Sequence, residues 1–208
     1  MKNNKKVVIV DYGMGNLNSV KRKLHFLNVD ALITADSKEI EAADKLILPG
    51  VGHFSNAMDN LKELGLTEIL NKKVLEDKIP ILGICLGMQL MATMSEEGTY
   101  KGLGWFDAEV VKFNINNKLK YKTPQIGWNQ ILIEKESKLM NSIPNLSEFY
   151  FVHSYHIKCN DKSDILNTTD YENNFTSAIE KNNIFGVQYH PEKSHDIGMQ
   201  LITNFIEL

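Results

Sequence analysis

Cysteine is scarce in this chain: Cys85 and Cys159 are the only two among 208 residues. They sit in unlike contexts, which argues against a secreted disulfide framework and fits a reducing cytoplasm. Long apolar runs are missing as well. The N-terminus passes from MKNNKK straight into the short VVIV, far below the length of a signal-peptide core or a membrane span, so neither export nor membrane anchoring is expected. There is no excess of positive charge. With 23 Lys and Arg against 26 Asp and Glu and a net charge of −3, the chain lacks the basic face that a sequence-independent grip on nucleic acid needs. No repeat, linker or low-complexity stretch divides it, and residues 1–208 are read as one domain. What remains is ordinary for a globular protein: 43% hydrophobic and 24% charged residues, long enough to bury a core without disulfides or structural metal.

Short β-branched runs punctuate the first half at 5–11 (KKVVIVD), 30–36 (DALITAD), 45–50 (KLILPG) and 79–84 (IPILGI), separated by helical patterns. That alternation predicts βαβ units and a parallel sheet. Leu17, Val20, Leu24 and Leu27 form an apolar stripe set off by Lys21, Arg22 and Lys23, which predicts a helix packed on the sheet. Gly87, Leu90, Met91 and Met94 recur at helical spacing, so a helix is expected directly after Cys85. From about residue 103 the texture changes to strand-like stretches joined by polar turns: WFDAEVVKF, NQILIE, EFYFVHSYHI, FTSAIEK and IFGVQYH. These predict antiparallel or mixed sheet. The polar segment 114–122 reads as a hairpin tip, and Ile197, Leu201, Ile202 and Phe205 as a closing amphipathic helix. The fold class expected is α/β: a mixed, mainly parallel central sheet flanked by helices, with additional antiparallel strands in the C-terminal half.

Gly83-Ile84-Cys85-Leu86-Gly87 has the spacing of a nucleophile elbow, where flanking glycines let a strand turn sharply into a helix and display the central side chain. At a helix N-terminus the thiolate, the form that attacks carbonyls, is favoured by the helix dipole. Amides after the nucleophile, beginning with Leu86, are placed to stabilise an oxyanion. A buried cysteine beside helix-packing glycines explains the pentapeptide equally well. His190-Pro191-Glu192 tips the balance. A thiol nucleophile needs a base, and the base needs a carboxylate to fix its tautomer. In extended chain residues two apart project to one side, so Glu192 can address His190. Pro49-Gly50-Val51-Gly52 follows the third strand and can turn further amides towards a ligand, although a plain β-turn accounts for it as well.

Other readings are weaker. A dinucleotide site at Gly13-Met14-Gly15 fails because position 18 is Asn18 where the third glycine belongs. Neither His153 with His156 nor His190 with His195 joins a metal-ligand set. Those histidines other than His190 read as structural or surface residues, and the lysines at 112, 118, 120 and 122 as a solvated hairpin. No metal and no cofactor are expected.

With these segments assembled, the chain resembles the class I, or triad, glutamine amidotransferases, and among them the glutaminase subunits of the histidine pathway. The motifs DYGMGNLNSV, LPGVGHF, GICLGMQLM, IGWNQI, YFVHSY and GVQYHPEKS occur in family order and cover nearly the whole chain. The resemblance implies a triad of Cys85, His190 and Glu192. It implies an oxyanion strand at Gly50 and Val51 acting with Leu86, and glutamine contacts at Gly52, Gln89, Glu97, Ser154 and Tyr155. It also implies a (β/α)8-barrel synthase partner that receives ammonia in a heterodimer, met by a face holding Asn16, Trp128 and Lys193. Two departures stand out: Gln125 replaces the histidine usual before IGWN, and Trp105 to Ala108 resemble related subunits whose barrel partners amidinate an acetamido sugar for surface glycans. Any effect of either is expected at the partner interface. More distant alternatives are another cysteine-elbow amidase and a non-catalytic module.

Overall fold

The computed structural model describes residues 5–208. Four short strands, β1 (Val7–Val10), β2 (Ala31–Thr34), β3 (Lys45–Gly50) and β4 (Ile81–Cys85), form in the four β-branched runs. They pair in the parallel order β2-β1-β3-β4, and Ile184–Val187 joins β4 in parallel as a fifth strand. Successive side chains of a strand point to opposite faces, so β1 divides its residues between two cores. Val8 and Val10 pack with Leu46, Leu48, Phe54 and Leu61 on one side, while Val7 and Ile9 pack with Ile47, Leu24, Leu201 and Phe205 on the other. The first face is covered by α2 (Ser37–Glu41), α3 (Phe54–Glu63) and α4 (Leu66–Asn71), the second by α1 (Leu17–Phe26) and α6 (His195–Glu207). Helices on both faces explain why these strands are apolar throughout rather than alternating.

Beyond Ile184–Val187 the sheet continues antiparallel through Asn173–Lys181, Tyr155–Cys159 and Ala108–Lys112. Strands Gln125–Gln130 and Glu148–His153 form a separate antiparallel ribbon. Burial alternates along the latter, with Phe149, Phe151 and His153 facing inwards. Among the described residues no helix is long and apolar enough to cross a membrane.

Several expectations need correction. The helix after Cys85, α5, spans only Leu86–Gln89, and Met94, expected on its face, lies in the short strand Met94–Ser95. The chain leaves the helix because the amides of Leu103, Gly104 and Trp105 pair with the carbonyls of Leu90, Ala92 and Met91, which then end the helix rather than extend it. Segment 114–122 is not a hairpin tip: the flanking strands pair with Tyr155–Cys159 and Glu148–His153, not with each other. It is held instead by the Glu172 carboxylate, which accepts from the amides of Asn116 at 2.8 Å and Asn117 at 2.6 Å. Strand Ile165–Tyr171 was not expected; it makes a tight hairpin with Asn173–Lys181 through Glu172 at φ 61°. Lastly, Trp105, Phe106, Ala108 and Gln125 are buried rather than surface residues. The Trp105 indole donates to Asn71 at 2.7 Å, so this segment answers to core packing rather than to an interface.

Candidate active site

The parallel seam between β4 and Ile184–Val187 brings the two ends of the chemistry together, since Ile84 pairs with Val187 and each strand ends next to its functional residues. Cys85 closes β4 at φ 53° and ψ −109°, a conformation that L-residues rarely adopt. Such strain persists only where the surroundings dictate it. Here the glycine that permits it is Gly87: a Cβ at that position would lie 1.7 Å from the Leu48 carbonyl oxygen. The elbow is thus pressed onto β3. Gly50, paired with Cys85 across β3 and β4, is equally constrained, because a Cβ there would lie 2.2 Å from the Tyr12 hydroxyl.

Cys85 differs from expectation in one respect. It is buried, with 6% exposure, at the bottom of a cleft rather than displayed, and a helix of four residues has little dipole to offer it. Side chains supply its polar surroundings instead. His190 is buried, and its Nδ1 pairs with Glu192 Oε1 at 2.8 Å. The His190 backbone is clamped to the ribbon, its amide donating to the Tyr150 carbonyl at 2.9 Å while Ser194 Oγ donates to the His190 carbonyl at 2.6 Å. Burial alone would lower the pKa of His190. The negative charge of Cys85 and Glu192, together with the Glu192 hydrogen bond, outweighs it and pushes it up to about 9. His190 Nε2 has no partner at hydrogen-bonding geometry, so its coupling to the thiol is read as electrostatic.

The cleft has a volume of about 310 Å³ and is lined by Val51, Gly52, Cys85, Leu86, Gln89, Glu97, Val152, His153, Ser154 and Tyr155. One carboxylate oxygen of Glu97 accepts from the Phe54 amide at 2.8 Å, at the N-terminus of α3. A larger groove around Lys135, Ser137 and Met140 contains none of the nucleophile, base or acid residues.

The model of the family described as glutamine amidotransferase class-I matches residues 8–208. The chain is a class I glutamine amidotransferase. It is 55% identical to the imidazole glycerol phosphate synthase subunit HisH 2 of Methanococcus maripaludis, over 97% of this chain and 98% of that one. It is 44% identical to the subunit HisH of Leptospira interrogans, over 96% and 98%, and 45% identical to HisH 1 of Campylobacter jejuni, over 97% and 100%. Among solved structures, PurLQS from Thermotoga maritima superposes with a TM-score of 0.72 at 15% identity, covering 98% of this chain and 98% of the other. At that identity the likeness speaks to the fold alone.

In this amidotransferase every residue expected to touch glutamine, Gly52, Gln89, Glu97, Ser154 and Tyr155, lines the cleft that contains Cys85. Trp128, 45% exposed, stacks on His195 with ring centroids 4.9 Å apart and meets the edge of Tyr150, over which Lys193 Nζ sits at 5.5 Å. Asn16 is exposed just before α1. Three residues of the cleft region were not expected there, the first of them Val152, which lines it. His153 is buried and lines the cleft; burial takes its pKa down to about 3, and its Nδ1 pairs with the Tyr155 carbonyl at 2.7 Å. The inward alternation of EFYFVH was the available signal for it. Gln188 is fully buried, and its Nε2 lies 3.5 Å from Cys85 Sγ; its place two residues before His190, on the same side of an extended chain, was the available signal.

Proposed function

We propose that this chain is the glutaminase subunit of an imidazole glycerol phosphate synthase, hydrolysing glutamine to glutamate and ammonia in the cytoplasm and passing the ammonia to a (β/α)8-barrel synthase subunit in histidine biosynthesis. The observation that carries the reading is the His190–Glu192 pair at 2.8 Å beside a strained cysteine on the floor of the cleft. Cys85 Sγ attacks the side-chain carbonyl carbon of glutamine, and the amides of Val51, next to Gly50 on the oxyanion strand, and of Leu86 stabilise the oxyanion. The His190 imidazolium, oriented by Glu192, protonates the departing ammonia, leaving a γ-glutamyl thioester. His190 then takes a proton from water, which attacks the thioester and releases glutamate. Glu97 suits the α-ammonium of the substrate, and Gln89, Ser154 and the backbone of Gly52 and Tyr155 suit its polar ends. The aromatic face of Trp128, with Lys193 and Asn16, meets the barrel in a heterodimer. The whole chain acts as one domain and requires no metal or cofactor.

A second reading keeps this chemistry and changes the acceptor to an acetamido sugar. One observation favours it: relatives are numbered HisH 1 in Campylobacter jejuni and HisH 2 in Methanococcus maripaludis, and where an organism holds two copies one is free to serve another acceptor. The deciding experiment co-expresses the chain with a histidine-pathway barrel in a strain lacking its own glutaminase, grown at low ammonia without histidine. Growth, with ammonia release stimulated by the barrel and its ribonucleotide ligand, is expected. Soluble co-expression without growth would transfer the chain to the second reading.

A further inference from the structure

Hydrogen bonds around Cys85 extend further than the triad. The Tyr155 carbonyl can only accept, so the Gln89 atom 2.9 Å from it is the NH₂ group. That same nitrogen lies 3.0 Å from the Gln188 side chain, and the atom receiving its second hydrogen must be Oε1. The remaining end of the Gln188 amide is then its NH₂, and this is the end 3.5 Å from Cys85 Sγ. The amide order follows from the backbone carbonyl alone and leaves no freedom for a flip. His153 Nδ1–H donates to the same carbonyl at 2.7 Å, which fills its second lone pair. Gln188 has no exposure, and its own backbone amide is tied to the Ser177 carbonyl at 2.8 Å.

We infer that Gln188 is a positioning residue for the nucleophile: its side-chain N–H holds the Cys85 sulfur at the elbow and favours the thiolate, in an order imposed through Gln89 by the Tyr155 carbonyl. This rests on the reading of Cys85 as nucleophile and adds a residue to it. The need for such a donor is physical. A sulfur buried at 6% exposure beside a four-residue helix has little solvent and little helix dipole to stabilise negative charge, so a donor adds to the charge of His190, and a hydrogen bond to a charged group is worth more than one to a neutral group. Because Tyr155 lines the cleft, the relay also joins the substrate side of the site to the sulfur.

The test compares the full chain with Gln188→Leu, which removes the donor, and Gln188→Glu, which keeps its shape and adds negative charge. Cys85 carbamidomethylation by iodoacetamide is followed against pH by peptide mass spectrometry, a readout independent of the true substrate. Glutamine turnover is measured with the barrel subunit present. In Gln188→Leu the pH midpoint of alkylation should rise by about one unit, with a larger rise in Gln188→Glu. The kcat should fall about tenfold while KM stays within about twofold, the pattern of an interaction that acts on the chemical step. An unchanged midpoint in a folded Gln188→Leu, or a change in KM alone, would overturn the inference and leave the glutaminase reading intact. Inactivity of the parent protein towards glutamine despite normal alkylation would instead overturn that reading. Should Gln188→Leu not fold, Gln89→Leu, which removes the group ordering Gln188, takes its place; a midpoint shift in the same direction is expected, and its absence overturns the inference.

Discussion

The parallel core of the sheet and the antiparallel ribbon beside it bury their side chains in different ways. Every residue of β1, β3 and β4 is buried, because helices cover both faces. Along Glu148–His153 buried positions alternate with more open ones, and in Gln125–Gln130 Gln125 alone is buried. The difference assigns two jobs. The parallel half is a rigid footing in which close backbone contact, Gly87 on Leu48 above all, forces Cys85 into its strained elbow. The antiparallel ribbon buries Phe149 and Phe151 and ends at the cleft, which the consecutive residues Val152, His153, Ser154 and Tyr155 all line. Nucleophile and base meet within the parallel half, at the seam where Val187 pairs with Ile84.

The largest effect that tests this division is at the nucleophile. Cys85→Ala should lower barrel-stimulated ammonia release by more than about a thousandfold, whereas Cys159→Ser should leave it within about twofold. Burial pushes the Cys159 thiol up to about 12, so at neutral pH it is a poor competitor for a glutamine-derived electrophile. Retained activity in Cys85→Ala would end the comparison, since the elbow would then have no chemical purpose.

Next is the footing itself. Leu82→Ala, at a fully buried position in β4, should cost about 2–5 kcal/mol in urea unfolding. Ile126→Ala, on the open side of the ribbon at 63% exposure, should stay within about 0.5 kcal/mol. Equal costs would mean that the two halves do not differ in the way their burial patterns indicate.

The seam should also respond to pH. His190 is raised from the ordinary histidine value of 6.5 to about 9, so its stabilising contribution is fully present below about 6.5 and is lost as pH rises through about 9. Denaturation at pH 6 and pH 9.5 should show a loss of order 2 kcal/mol in the parent that is smaller in Glu192→Gln. Lys45 acts in the opposite direction. Burial lowers it to about 8, so stability rises with pH above that value, and because Lys45 is common to both proteins its contribution cancels in the comparison. An identical pH response in the two proteins would uncouple Glu192 from His190.

The smallest effect is local to the parallel half. Asp36 caps α2, its carboxylate accepting from the amides of Lys38 at 2.8 Å and Glu39 at 3.2 Å. Asp36→Ala should lower stability by about 1 kcal/mol without altering turnover. A marked loss of turnover would show that this edge of the sheet communicates with the cleft.

Much of the footing was legible in the sequence because its signals are local. Each of the four apolar runs became a strand, and the stripe through Val20 and Leu24 became α1, since burial on two faces or along one stripe leaves a periodic trace within a few residues. The elbow, with its flanking glycines, was equally legible, and so was the pairing of His190 with Glu192, but not its geometry: the link expected to be extended is a 3-10 turn, Pro191–Lys193. Ile165–Tyr171 left a weaker trace: its turn is built on Glu172 at φ 61°, with no glycine or proline, and the asparagines beside it, Asn173 and Asn174, belong to the next strand. Met94 pairs with Lys101 and Glu109 and segment 114–122 is held by Glu172, contacts that no helical or strand period records.

What the sequence determined by itself, then, is the class of fold and the candidate nucleophile with its base and acid, because each depends on short-range spacing and on side-chain chemistry; the residues able to line a glutamine pocket were implied by the family resemblance. Tertiary structure alone decided that the thiol is buried rather than displayed, that Gln125 and Trp105 belong to the core, and that Gln188 and Gln89 are joined by a hydrogen bond within reach of the sulfur. Those outcomes depend on which strands become neighbours across about a hundred residues of chain, and a hydrogen bond between distant residues is determined by that pairing rather than by the identity of either residue.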